Sequence, residues 1–236
     1  MTVRWVYAFI DRPYEDVDAA GDFWTRVTGT RRSAPRGARG EFVTLVPSEG
    51  DPYLKVQGVA DGPGGAHLDL AVEDVPGEAA RARSLGAVPV LAEDGLAVLR
   101  SPAGHAFCLV PWQGERTRPP WDDRAGRLDQ LSLDTAPGVY AAEARFWAAL
   151  TGWPEVPCES PEFRLLAADA VPVQLLLQRL ESDAPPSAHL DLACGEPSRA
   201  RAWHVAAGAE PVGEGRAWHV MRDPSGGLYC LTNRTP

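Results

Sequence analysis

The hexapeptide AHLDLA stands at 66–71 and again at 188–193, and both times it sets a histidine two residues before an aspartate: His67 with Asp69, His189 with Asp191. On a strand, residues i and i+2 share a face, so each pair presents an imidazole beside a carboxylate. Such a carboxylate fixes the ring's tautomer and raises its basicity, which suits the pair to bind a ligand or to move a proton. The opposing reading is structural, since a buried polar group needs a partner whatever its function. Cys108 and Cys230 close a second matched stretch, SPAGHAFCL (101–109) against DPSGGLYCL (223–231). Further candidates for a cleft wall are Tyr7 and Phe9 near the start, Gln130 at the matching place downstream, and Trp218 and His219 in AWHVM (217–221). If Trp218 and Val220 face the helices, as Leu96 and Val98 would in LAVLR (96–100), His219 lines the cleft; in the opposite phase Trp218 does.

These residues sit inside a duplication. DFWTRVTG (22–29) answers RFWAALTG (145–152), and LGAVPV (85–90) answers AGAEPV (207–212). A repeat at one spacing over about 110 residues is the mark of a duplicated module. The expected domains are 1–113 and 127–236, joined by a linker at 114–126 within a stretch rich in Pro, Gly and charge. In each copy an apolar-rich run (3–10, 128–135) reads as a strand. A helix with apolar residues at helical spacing follows and stops on Gly29 or Gly152. Hairpins are expected at 41–46 with 53–59 and at 162–167 with 171–178. The HLDL strand, a short helix ending on GA and a last hairpin through SPAG or DPSG complete each copy. Trp24 and Trp147 match between the first helices and belong to the core. Trp5, Trp153, Trp203 and Trp218 have no counterpart and are the better candidates for stacking on a ligand. His105 and His204 read as a turn residue and a helix-surface residue.

Composition narrows the classes. A 44% hydrophobic content over 236 residues supports a sizeable core, and a net charge of −9 with no basic half excludes a nucleic-acid footprint. No apolar run reaches the roughly 18–20 residues of a membrane span. The first residues lack a signal-peptide pattern, so the expected location is cytoplasmic. The four cysteines form no close pair, and reduced thiols are expected.

The strand–helix–strand order, the HxxL strand, the GA-ending helix and the [SD]P-x-G-x-x-x-C-L hairpin together resemble the vicinal-oxygen-chelate superfamily of glyoxalases, extradiol dioxygenases and bleomycin-resistance proteins. The resemblance implies an α+β fold of two tandem βαβββ modules pairing around concave sheet clefts, as an internally paired monomer or a homodimer. It also implies a divalent metal held by a first-strand His or Glu, a middle-strand His and a last-strand Glu. His67 and His189 match the middle position, but Cys108 and Cys230 stand where the Glu belongs, and the first strand of copy one offers no ligand. The expectation is therefore a cofactor-free protein without metal that binds a small organic molecule, as drug-sequestering members do. The main cleft is expected in copy two, lined by His189, Asp191, Cys230 and Gln130 with His219, or with Trp218 in place of His219 if the strand phase is inverted. The copy-one cleft, with His67, Asp69 and Cys108, is expected to be smaller or plugged by Tyr7 and Phe9. The alternatives are a metal-dependent lyase, isomerase or dioxygenase, and a metal-free enzyme using the His–Asp pair.

Overall fold

A computed structural model of the chain describes residues 3–93, 95–121 and 124–235. Copy one runs β1 (Trp5–Pro13), a one-turn 3-10 helix (Tyr14–Asp16), α1 (Val17–Thr28), β2 (Arg31–Arg32), β3 (Phe42–Val46) and β4 (Leu54–Val59). It continues with β5 (Gly65–Val72), α2 (Val75–Ser84), β6 (Val88–Glu93), β7 (Leu96–Arg100) and β8 (Ala106–Pro111). Copy two repeats the order: β9 (Arg127–Thr135), α3 (Pro137–Thr151), β10 (Glu155–Val156), β11 (Phe163–Leu166) and β12 (Gln174–Arg179). After these come β13 (Ser187–Ala193), α4 (Pro197–Ala206), β14 (Glu210–Glu214), β15 (Trp218–Arg222) and β16 (Leu228–Thr232).

Each copy forms one eight-stranded mixed sheet, ordered β2-β3-β4-β1-β5-β8-β7-β6 and β10-β11-β12-β9-β13-β16-β15-β14. The strand–helix–three-strand unit thus occurs twice within each copy, its second occurrence opening on the HLDL strand. β5 and β13 hold the same place in the two sheets. The two hairpins read from the sequence are present as the antiparallel pairs β3–β4 and β11–β12. The two-residue strands β2 and β10 were not anticipated.

Local chemistry sets the helix ends. α1 buries Val17, Ala20, Phe23, Trp24 and Val27, an apolar stripe at helical spacing. It ends on Gly29 at φ 65°, and α3 ends on Gly152 at φ 69°, left-handed positions that a side chain would strain. α2 starts where the Asp74 carboxylate accepts from Gly77 N at 3.0 Å.

By packing, the chain divides into two compact units, and each draws on both copies. One consists of residues up to Tyr7, His67–Arg116 and Leu131–Ala188. Its core sets Phe107 of β8 against Phe146 and Trp147 of α3, with ring centres 5.9 and 5.0 Å apart. The buried Glu143 carboxylate accepts from Trp147 Nε1 (2.7 Å) and from Ala103 N (2.8 Å), pinning the SPAG turn to α3.

The other unit consists of Ala8–Ala66, Thr117–Gln130 and His189–Pro236. Here Trp24 of α1 meets Tyr229 of β16 edge to face, centres 5.1 Å apart. Asp223 of the DPSG turn accepts from Trp24 Nε1 (3.0 Å) and pairs with buried Arg12 (2.6 Å). A Cβ on Gly227 would fall 1.5 Å from Arg12 Nη2, so the guanidinium requires glycine there. In the first unit the corresponding partners exchange size: His105 replaces Gly227, Thr135 replaces Arg12, and the ring lies 3.1 Å from the Thr135 hydroxyl.

Residues 112–121, between the copies, have no regular structure, and Asp122 and Asp123 lie outside the described residues. Among the described residues no helix is long and apolar enough to cross a membrane.

Candidate functional site

The histidine–aspartate pairs lie on the face that the helices leave uncovered. β5 pairs with β8 in parallel, Leu68 opposite Phe107 and Asp69 opposite Cys108. Because Phe107 packs on α3, alternation turns Leu68, Leu70 and Leu109 toward the helices and His67, Asp69 and Cys108 the other way. In copy two β13 pairs with β16 in the same register, Asp191 opposite Cys230, so His189, Asp191 and Cys230 repeat the arrangement.

In each copy one imidazole nitrogen, one carboxylate oxygen and one sulfur all lie within 4.8 Å of one another. His67 Nε2 is 3.6 Å from Asp69 Oδ1, and His189 Nε2 is 3.5 Å from Asp191 Oδ1. These separations exceed the usual 2.7–3.2 Å of an N–H···O bond. Asp69 Oδ1 is buried without a hydrogen-bond partner. Burial pushes the Cys108 thiol up to about 11, an effect that His67 partly offsets. Cys230 is shifted upward for the same reason, with His189 opposing it. Both are neutral thiols near pH 7 when nothing is bound to them.

The sequence reading credited each copy with one strong donor, its histidine; the fold assembles three. Asp69 and Asp191 are expected on the cleft wall beside their histidines, but not as donors to an ion. Their i+2 spacing on a strand already carried the signal.

Other anticipated wall residues divide. Tyr7 is 6% exposed, and its hydroxyl donates to the Glu115 carboxylate of the linker. Phe9 is buried on β1, with Lys55 Nζ 5.0 Å from its ring centre. Gln130 is buried on β9, the strand beside β13.

His219 requires correction. Val220 pairs with Cys230 and Met221 with Tyr229, so Val220 and Trp218 share the face of Cys230 while His219 and Met221 take the opposite one. His219 lies 3.7 Å from Glu214 on the edge strand β14. The phase is set by Met221, wholly buried beside Tyr229 and the helices. The same holds in copy one, where Val98 pairs with Cys108 and Ala97 with Leu109, so Leu96 and Val98 face the site.

His204 and two tryptophans depart from expectation, while His105 closes the SPAG turn as expected. His204 is fully buried, bonded through Nδ1 to Tyr229 Oη (2.8 Å) and through Nε2 to Ala125 O (3.0 Å). His105 is 5% exposed. Burial lowers both to about 4, so each is a neutral core residue. Trp5 and Trp153 are buried as well, which removes them from the candidates for ligand stacking.

Comparison with known proteins accords with this arrangement. A family model described as a glyoxalase-like domain matches twice, over residues 7–110 and 130–232. No curated protein matches by sequence. Among solved structures, the Mn(II)-bound glyoxalase from Novosphingobium aromaticivorans superimposes with a TM-score of 0.67 at 17% identity, covering 98% of this chain and 81% of that one. The 2,3-dioxygenase LapB from Pseudomonas sp. gives 0.66 at 14% identity over 96% and 90% of the two chains. The 2,2',3-trihydroxybiphenyl 1,2-dioxygenase from Sphingomonas wittichii gives 0.66 at 14% identity over 98% and 90%. At these identities the likeness is one of fold.

Proposed function

The chain belongs to the glyoxalase-like domain family, and from that premise we propose that it binds a small organic molecule against the His–Asp–Cys groups on the uncovered faces of its sheets. The observation that carries the reading is the repetition of the same three polar residues, in the same register, in both copies. A few convergent polar groups on an apolar wall are what a small-molecule site requires. In copy one that wall includes Leu96 and Val98; in copy two it includes Trp218 and Val220. The imidazole donates to or accepts from the ligand, while the neighbouring carboxylate orients the ring and favours its protonated form when a ligand oxygen develops charge.

Copy two is the better receptor on this reading. The His189 side chain is 18% exposed against 10% for His67, and Gln130 stands where copy one has the bulky Tyr7. A panel of small carbonyl, diol and phenolic compounds, tested by equilibrium dialysis, checks the proposal. His189→Ala should weaken the best ligand about tenfold or more, the cost of a lost hydrogen bond to a charged or buried partner, and His67→Ala should weaken it less. Ligands held equally by both variants and by the double variant would overturn it.

A divalent ion at the same centre is a second reading, favoured by the convergence of three donor types. The residues fit such an ion: His67, Asp69 and Cys108 would hold it in one copy, His189, Asp191 and Cys230 in the other. A bound ion would supply Lewis acidity to a ligand oxygen.

A further inference from the structure

We infer that the chain's one lysine, Lys55, makes the β1–β4–β3 part of the copy-one sheet a receptor for a carboxylate, so that copy one takes an organic anion where copy two takes an apolar group. The inference rests on the reading that the uncovered sheet faces receive a small organic molecule. It adds the charge of the ligand and the residue that selects it.

Register fixes which way Lys55 points. A Cβ on Gly58 would fall 2.7 Å from the Tyr14 ring and 3.0 Å from Val17, the first residue of α1. β4 therefore turns Leu54, Val56 and Gly58 toward the helix and, by alternation, Lys55 and Gln57 to the uncovered face. Lys55 pairs with Phe9 of β1 on one side and with Thr44 of β3 on the other, so the three side chains form a row across the sheet. Phe9 and Thr44 are buried, and Lys55 Nζ lies 5.0 Å from the centre of the Phe9 ring.

The row ends on a second cation. Arg36 donates from Nη2 to Thr44 Oγ1 (2.8 Å) and from Nη1 to Ser33 Oγ (3.3 Å). Among the residues that these three strands place on this face, Asp11, opposite Gln57, is the one carboxylate. Two cations flanking one hydroxyl repel each other, and a bound anion turns that repulsion into attraction. Phe42, half-buried and also opposite Gln57, offers apolar surface to the rest of the ligand.

Copy two supplies the contrast. Its pairs Phe163–Gln178 and Leu165–Leu176 repeat Phe42–Gln57 and Thr44–Lys55 in the same register. Phenylalanine and glutamine recur, whereas the lysine and threonine become leucines that are half-buried. The strand geometry alone therefore asks for no charge at this place. Every other basic residue of the chain is arginine. The single lysine supplies a compact ammonium with three rotatable donors, which a planar guanidinium does not reproduce.

The lone lysine also makes the test selective. Reductive methylation of the full chain with carbon-13 formaldehyde keeps the charge and gives Lys55 one side-chain signal. The α-amine is told apart because it titrates near about pH 8. The probes are acetate, phenylacetate and 2-naphthoate, each beside its neutral amide. Phenylacetate or 2-naphthoate should shift the Lys55 signal saturably and less strongly as salt is added, and the amides should leave it in place. In equilibrium dialysis of the unmodified protein, Lys55→Leu should weaken the carboxylate tenfold or more. Leucine stands at that register in copy two, and an unchanged melting temperature confirms that the variant folds. No shift with any carboxylate, equal shifts with the amides, or undiminished carboxylate binding by Lys55→Leu would each overturn the inference. Should the carboxylates fail while His189→Ala still releases a neutral ligand, the binding reading stands and the anion site alone is refuted. Should carboxylates bind through Lys55 while no ligand responds to either histidine, the reading centred on the histidines is the one that fails.

Discussion

His204 and the cysteines show how burial decides what a reactive side chain does. Held between Tyr229 Oη and Ala125 O, His204 is neutral in the folded chain and lowered to about 4, whereas the unfolded chain takes up that proton near pH 6.5. Its contribution to stability is therefore complete above about pH 6.5, declines as the pH falls toward 4, and levels off below. At 1.36 kcal/mol per pKa unit the loss is about 3 kcal/mol. His204→Gln should flatten the dependence of unfolding free energy on pH between 6.5 and 4 by about one proton. Asp129 and Glu143, raised by burial, act in the opposite sense but equally in both proteins, so the difference isolates the histidine. An unchanged slope would mean that His204 is protonated in the fold. Among the cysteines, Cys108, Cys194 and Cys230 are buried and Cys158 is not. Iodoacetamide on the native protein should label Cys158 first by peptide mass spectrometry, and faster labelling of Cys108 or Cys230 would contradict their burial. Of these residues the sequence revealed His67, His189, Cys108 and Cys230, because duplication marked them. It concealed His204 and His105, whose burial depends on partners, Ala125 and Thr135, that no local pattern indicates.

At the scale of elements, the last turn of copy two is fastened to β1 and α1 by a buried ion pair. Removing one partner of such a pair leaves a charge without compensation, at about 3–5 kcal/mol. Arg12→Met should therefore lower the unfolding free energy by that amount in denaturant titration, although methionine fills much of the volume. Gly227→Ala should be comparably harmful, because its Cβ would occupy the place of the guanidinium. A loss below about 1 kcal/mol in both variants would show that Asp223 is already satisfied by the Ser225 and Gly227 amides. Helices and hairpins were legible because apolar spacing and terminal glycines announce them. The phase of β7 and β15 was not, since LAVLR and WHVMR carry apolar residues on both faces. Only pairing with β8 and β16 fixes which side Leu96, Val98, Trp218 and Val220 take. The strands β2 and β10 contain two residues each, too few for any period to register.

For the whole molecule, the duplication read from sequence names the repeat but not the packing. Each compact unit takes strands and helices from both copies: Phe107 is buried by α3 of copy two, and Tyr229 by α1 of copy one. Hydrophobic periodicity shows that a face is buried without showing which copy covers it. Residues 1–113 expressed alone should therefore expose Phe107 and lose cooperative unfolding, with strong binding of a hydrophobic dye. Co-expression with 127–236 should restore both properties, and a fragment that unfolds cooperatively by itself would count against the interleaved cores. The central claim is that one His–Asp–Cys group per copy is the functional centre, and the most direct measurement is a crystal structure of the protein soaked with the best ligand from the dialysis panel. The account predicts ligand density against His189 and Cys230, and at higher ligand concentration against His67 and Cys108 as well. Density confined to another surface, such as the opening beside Arg4, Trp112 and Arg116, with both groups untouched, would contradict it.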